Sequence, residues 1–129
     1  MTAREYFVTE NHNCSETVIK LANDKYNLGI TDSDLKLLSA FGGGMGCGGI
    51  CGCLAACEAV LGKMFCQEKA HATENFKDIT GNFAKKFEQE FWGMDCKDLR
   101  SQYAQKDVRC LTLVEKSLNL LDEYITSIR

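Results

Sequence analysis

The chain has 129 residues, 45% of them aliphatic, aromatic or sulfur-bearing and 26% charged, which is enough for one domain with one core and too apolar for a disordered tail. Fifteen basic and eighteen acidic side chains leave a formal charge of -3 with no arginine–lysine block, and this disfavours nucleic acid or an anionic membrane as a partner. The longest apolar stretch, Ile50 to Leu61, is broken by Gly52 and Glu58 and falls short of the roughly 20 residues of a membrane helix, while the start of the chain lacks the apolar region of a signal peptide; the expected location is cytoplasmic.

Ala3 to Thr9, with Tyr6 and Phe7, reads as a short helix. Asn13-Cys14-Ser15-Glu16 resembles a capping box and opens a helix with Val18, Leu21 and Ala22 on one face, ending near Asn27 and Gly29. Thr31-Asp32-Ser33-Asp34 caps another that runs through Leu35, Leu38 and Phe41. Gly42 to Gly49 holds too much glycine for a regular element and reads as a loop. It feeds Ile50 to Met64, a helix apolar around most of its cylinder and therefore expected to be the buried centre. Thr73 to Trp92 is amphipathic: Phe76, Ile79, Phe83, Phe87 and Phe91 form a core-facing stripe, Gly81 weakens the middle, and Trp92 is expected to anchor the end in the core. Asp95 caps a short helix through Leu99 and Tyr103, and Asp107 caps a last one carrying Leu111, Val114, Leu118, Leu121 and Ile125. No strand pattern stands out. The expected fold is all-α, a compact bundle of about five to seven helices with a glycine-rich loop before a buried central helix, and one domain spans residues 1–129.

Eight cysteines and no proline set the composition apart. Without an export signal, so many cysteines point to metal binding or redox chemistry rather than to a disulfide framework. Several familiar sites are excluded. Gly44, Gly46 and Gly49 spell a dinucleotide fingerprint but follow a helix instead of a strand, and no phosphate-binding loop is present. There is no C-x-x-C, which removes the thioredoxin dithiol, the zinc ribbon and the bacterial ferredoxin run. At about 100° per residue, Cys53 and Cys57 share one helix face and Cys51 lies nearly opposite, so these three cannot all ligate one ion from a regular helix; Cys53 and Cys57 read as small buried thiols packing like alanine. The glycines either let helices approach closely or present backbone N–H groups to an anion or a thiolate.

Cys14, Cys51, Cys96 and Cys110 share a position that composition does not require, the first turn of a predicted helix. The partial positive charge and unpaired N–H donors there stabilise a thiolate and lower its pKa. Four such starts converging at one end of a bundle would gather four thiolates from segments far apart in sequence. His12, two residues before Cys14, and His71, in a polar connection, read as solvated or capping histidines.

These residues resemble a known family, the redox-active proteins named for the pattern C, GCAxxG, C, C. The likeness runs through Tyr6-Phe7 and Asn13-Cys14, Phe41 to Gly46, Cys51-Gly52, Cys96-Lys97-Asp98-Leu99 and Arg109-Cys110. Read in the order cysteine-glycine-alanine-x-x-glycine, the motif would align with Cys51 to Ala56, and the resemblance then implies that Cys53 stands for the alanine and Ala56 for the glycine. Cys47, Cys53, Cys57 and Cys66 are additional to the pattern.

Three functions follow as expectations. The first is a redox or electron-transfer protein with an iron–sulfur cluster, two-iron rather than four-iron, on Cys14, Cys51, Cys96 and Cys110. The second is a metal-free thiol–disulfide protein in which Cys51 attacks and another of the four resolves; the third is an interaction module stapled by zinc on the same four sulfurs. A redox partner protein is implied, a homodimer is allowed, and Cys51 stands first among the four as the acting residue.

Overall fold

The computed structural model describes residues 1–129 and is built of helices alone: α1 Cys14–Tyr26, α2 Asp32–Leu35, α3 Gly52–Phe65, α4 Phe76–Phe91, α5 Cys96–Tyr103 and α6 Leu111–Ile128. A wide single turn over Glu5–Thr9 precedes α1, and a 3₁₀ stretch, Lys36–Phe41, continues α2. No helix is long and apolar enough to cross a membrane.

The two capping boxes form as the sequence predicts. The Asn13 side chain accepts from the Glu16 N–H while Glu16 reaches back to the Asn13 N–H, and Thr31 and Asp34 do the same for α2. At its other end α1 stops where Asn27 turns left-handed, at φ 53°.

The apolar α3 occupies the centre and packs on α1, α4 and α6. Its Cys53, Ala56, Cys57, Val60 and Leu61 are fully buried, and Phe83, Phe87 and Phe91 of α4 close over them together with Leu113, Val114, Leu121 and Ile125 of α6. The three phenylalanines touch in series, Phe87 and Phe91 edge-on at 4.7 Å between centroids. Tyr124 ties α6 to α4 through its ring against Phe83 and its hydroxyl, which donates to the Ile79 carbonyl at 2.6 Å.

Three expectations need correction. Trp92 is not a core anchor: it is 85% exposed, because α4 ends there in a left-handed residue, φ 64°, that swings the chain away from the stripe. That helix begins at Phe76 instead of Thr73, whose hydroxyl is occupied folding the preceding connection back on the Lys69 carbonyl. Asp107 caps nothing. It lies at φ 70° in a tight loop closed by reciprocal backbone hydrogen bonds between Gln105 and Arg109, and Cys110 itself stands at the N-cap of α6.

Candidate redox site of clustered cysteines

Four of the eight cysteines sit at helix starts. Cys14 and Cys96 are the first residues of α1 and α5, and Cys51 and Cys110 are the N-caps of α3 and α6. What joins two of these starts is a short backbone ladder: the Cys51 N–H donates to the Met94 carbonyl at 2.7 Å and the Cys96 N–H to the Gly49 carbonyl at 2.6 Å, around the bridge Ile50–Asp95. The glycine run makes this possible. Gly43, Gly44, Met45 and Gly46 all have positive φ, a left-handed run that no stretch of ordinary L-residues sustains. A Cβ at Gly44 would stand 2.4 Å from the Gly49 carbonyl oxygen and 2.6 Å from the Cys96 Cβ. Gly52 does the same service for Cys14, since a Cβ there would come within 2.5 Å of its sulfur.

Cys14, Cys96 and Cys110 line one cleft of about 280 Å³, in company with Phe7, Gly43, Arg100 and Arg109. Cys51 does not reach the cleft; it is buried, and it shares a neighbour with Cys14, the fully buried Cys53. The single Cys53 S–H can donate to either sulfur, and it is the largest cause of the lowering at both. That donation, helped by the backbone N–H groups of Gly43 and Ser15 and opposed by burial, brings Cys14 down to about 7. Cys51 is lowered too, first by Cys53 and then, against burial, by the N–H groups of Leu54 and Cys53. Cys53 is pushed well above the thiol range because ionising it would remove the hydrogen that Cys14 and Cys51 share, and would do so in a dry site.

The four helix starts therefore do not act alike. Burial raises Cys96, with Arg100 pulling the other way, and raises Cys110 to about 11. Cys14 and Cys51 are also buried, but hydrogen-bond donors offset the loss of hydration there; at Cys96 and Cys110 no donor does, and a helix start alone does not prevail. A glycine N–H does serve a thiolate, that of Cys14, through Gly43.

The remaining cysteines stand apart. Cys57 is buried, as expected, with its thiol 3.9 Å from the Ser117 carbonyl, while Cys47 is exposed and donates to the Gly44 carbonyl at 3.4 Å. Cys66 accepts from the Thr73 hydroxyl at 3.7 Å. His12 faces Glu10 and Glu16, at 3.3 and 3.8 Å, and His71 lies exposed in the short turn Ala70–Ala72.

As the side chains stand, no three histidine, cysteine, aspartate or glutamate residues are grouped to hold a metal ion. The fit to a metal is one of kind and number: four soft sulfur donors that begin or cap four helices, three of them on one cleft. Sequence reasoning missed the bridging position of Cys53. Its only signal was the departure from the small alanine of the motif, and the α-helical wheel, by setting Cys51 opposite, concealed the contact because Cys51 is an N-cap with ψ 132°, off the helical path.

No curated protein and no solved structure shows a significant match to this sequence. One family model does, over residues 12–124, and its description is "putative redox-active protein (C_GCAxxG_C_C)". The matched stretch takes in all eight cysteines, the glycine run and five of the six helices entire, and the chain belongs to the C_GCAxxG_C_C family of redox-active proteins.

Proposed function

We propose that this protein carries electrons on an iron–sulfur cluster of two irons, held by Cys14, Cys51, Cys96 and Cys110. One observation carries the reading: four cysteines separated by 13 to 44 intervening residues stand at helix starts, the glycine run and its ladder join the starts at Cys51 and Cys96, and Cys14, Cys96 and Cys110 line a single cleft while the buried Cys51 shares its neighbour Cys53 with Cys14. The group would supply one-electron steps within the reach of a redox partner. The chain's own part is to offer thiolates. N–H groups of Gly43 and Ser15 donate to Cys14 and that of Leu54 to Cys51, which favours the charged form that ligation needs. Arg100 offsets negative charge beside Cys96 and Cys110.

A second reading is favoured by the contacts of Cys53. Two sulfurs with lowered pKa that share one thiol donor also suit a metal-free dithiol. Cys14 lines the cleft and would attack an incoming disulfide, forming a mixed disulfide and releasing one thiolate; Cys51 or Cys53 would then attack the Cys14 sulfur and release the second. Two protein thiols are thereby oxidised and one external disulfide reduced to two thiols.

Iron, zinc and acid-labile sulfide measured on protein purified without oxygen, together with the visible spectrum, test the proposal. Brown protein with about two irons and two sulfides per chain is expected. Colourless protein free of metal moves the function to the dithiol, and stoichiometric zinc without sulfide makes the site a structural staple.

A further inference from the structure

The cysteine cleft has a second chemical character that the electron-transfer reading uses only in part, through Arg100, and thiol exchange not at all. Both charged side chains that line it, Arg100 and Arg109, are cationic, and no carboxylate lines it at all. This occurs in a chain whose formal charge is -3, so the positive lining runs against the composition of the whole.

The two arginines are held differently. Arg109 is fixed: its guanidinium lies 4.1 Å from the Phe7 ring centroid and donates to the Phe7 carbonyl oxygen, and its backbone is locked left-handed, φ 49°, by the paired hydrogen bonds to Gln105. A side chain so pinned has already lost its conformational freedom and can bind with little further entropy cost. Only one of its five N–H donors is engaged by the protein. Arg100, one turn into α5, forms no ion pair and no side-chain hydrogen bond, and neither does the Gln105 amide on the same lining. Asn13, by contrast, is spent on Ser39, Ser15 and Glu16.

We propose that the cleft is a binding site for a small oxyanion of carboxylate or phosphate type, held by Arg100 and Arg109 in front of Cys14, Cys96 and Cys110. A planar guanidinium matches either group with two parallel N–H···O bonds. The space, about 280 Å³, lies just under the range of pockets that take drug-sized ligands, so the occupant is a small molecule. The inference stands on the cleft and its charges with the sulfurs free; a cluster or zinc on Cys14, Cys96 and Cys110 would take part of the same space, so the metal-free protein is titrated beside the protein as purified.

Calorimetric titration of the protein as purified, its metal content recorded, provides the test, with succinate and inorganic phosphate as probes and succinamide as the uncharged match. Succinate or phosphate should saturate with a Kd below about 1 mM, succinamide should not, and Arg100→Gln should weaken the bound anion about tenfold. Arg100 is exposed, so its variant keeps the fold, which an unchanged melting temperature verifies. Arg109→Gln gives a second, independent reading, and nuclear magnetic resonance shifts at Gln105 and Cys96 on adding the anion would locate it. No saturation by either anion up to about 10 mM, or equal affinity in wild type and both arginine variants, overturns the site.

Discussion

Glu58 shows how one ionisable residue sets the stability of the central helix. Its Oε1 is buried with no hydrogen-bond partner, and burial raises the carboxyl to about 7. The folded state thus holds the proton more tightly than the unfolded chain, so the contribution is complete below about 4.5 and is lost as pH rises through 7. Glu58→Gln should accordingly match wild type near pH 5 and exceed it by about 1 kcal/mol at pH 8, a figure reduced because the side chain keeps some solvent; urea midpoints at the two pH values measure this, and a constant difference between them would refute it. Gly52 makes the opposite point, a residue defined by what it lacks. Gly52→Ala would set a methyl 2.5 Å from the Cys14 sulfur and 2.8 Å from the Phe41 carbonyl oxygen. The start of α3 must then move off α1, at an expected cost of about 1–3 kcal/mol, read as a lowered urea midpoint.

At the scale of elements, α4 separates what periodicity reveals from what it conceals. The spacing of Phe83, Phe87 and Phe91 places three rings on one face, and all three are buried. Phe83→Ala or Phe87→Ala should cost about 3–5 kcal/mol, since each leaves a ring-sized cavity among residues that cannot collapse into it; an unchanged thermal midpoint would contradict this. Trp92 adjoins the stripe in sequence but lies off its four-residue spacing and is itself the left-handed residue at which α4 ends. Trp92→Gly should therefore leave the midpoint unchanged or raise it, by up to about 1 kcal/mol, as a side chain is removed from a positive-φ position. The helices with local signals, two capping boxes and an apolar period, were legible because their cause lies within a few residues. The Gln105–Arg109 loop was not, because its closing hydrogen bonds and the contact of Arg109 with Phe7 join residues that no local pattern couples.

Over the whole molecule the site is a product of convergence, and legibility in the sequence divides along the same line. That Cys14 and Cys51 lie at helix starts could be read from the Asn13 capping box and the glycine run, and Cys96 and Cys110 also lie at helix starts although neither Asp95 nor Asp107 caps through its side chain. That Cys14, Cys96 and Cys110 share a cleft, that Cys53 bridges Cys14 and Cys51, and that Cys96 and Cys110 lack a donor to offset their burial could not be read, since each depends on how α1, α3, α5 and α6 pack. Single serine variants, purified without oxygen and assayed for metal and sulfide, turn this division into a measurement. Serine at Cys14, Cys51, Cys96 or Cys110 should each lower retention sharply, because a hydroxyl stays protonated near neutral pH and binds soft metal poorly. Cys57→Ser and Cys66→Ser should retain the full complement, as neither sulfur lines the cleft or adjoins the other four. Cys53→Ala is the discriminating variant. Under the cluster reading it keeps metal and sulfide, because the four proposed ligands remain; under the dithiol reading it raises the pH at which Cys14 is alkylated above about 7, because the thiol that favoured its thiolate is gone. A Cys53→Ala protein stripped of metal, beside a Cys110→Ser protein still fully loaded, would remove Cys110 from the ligand set and put Cys53 in its place.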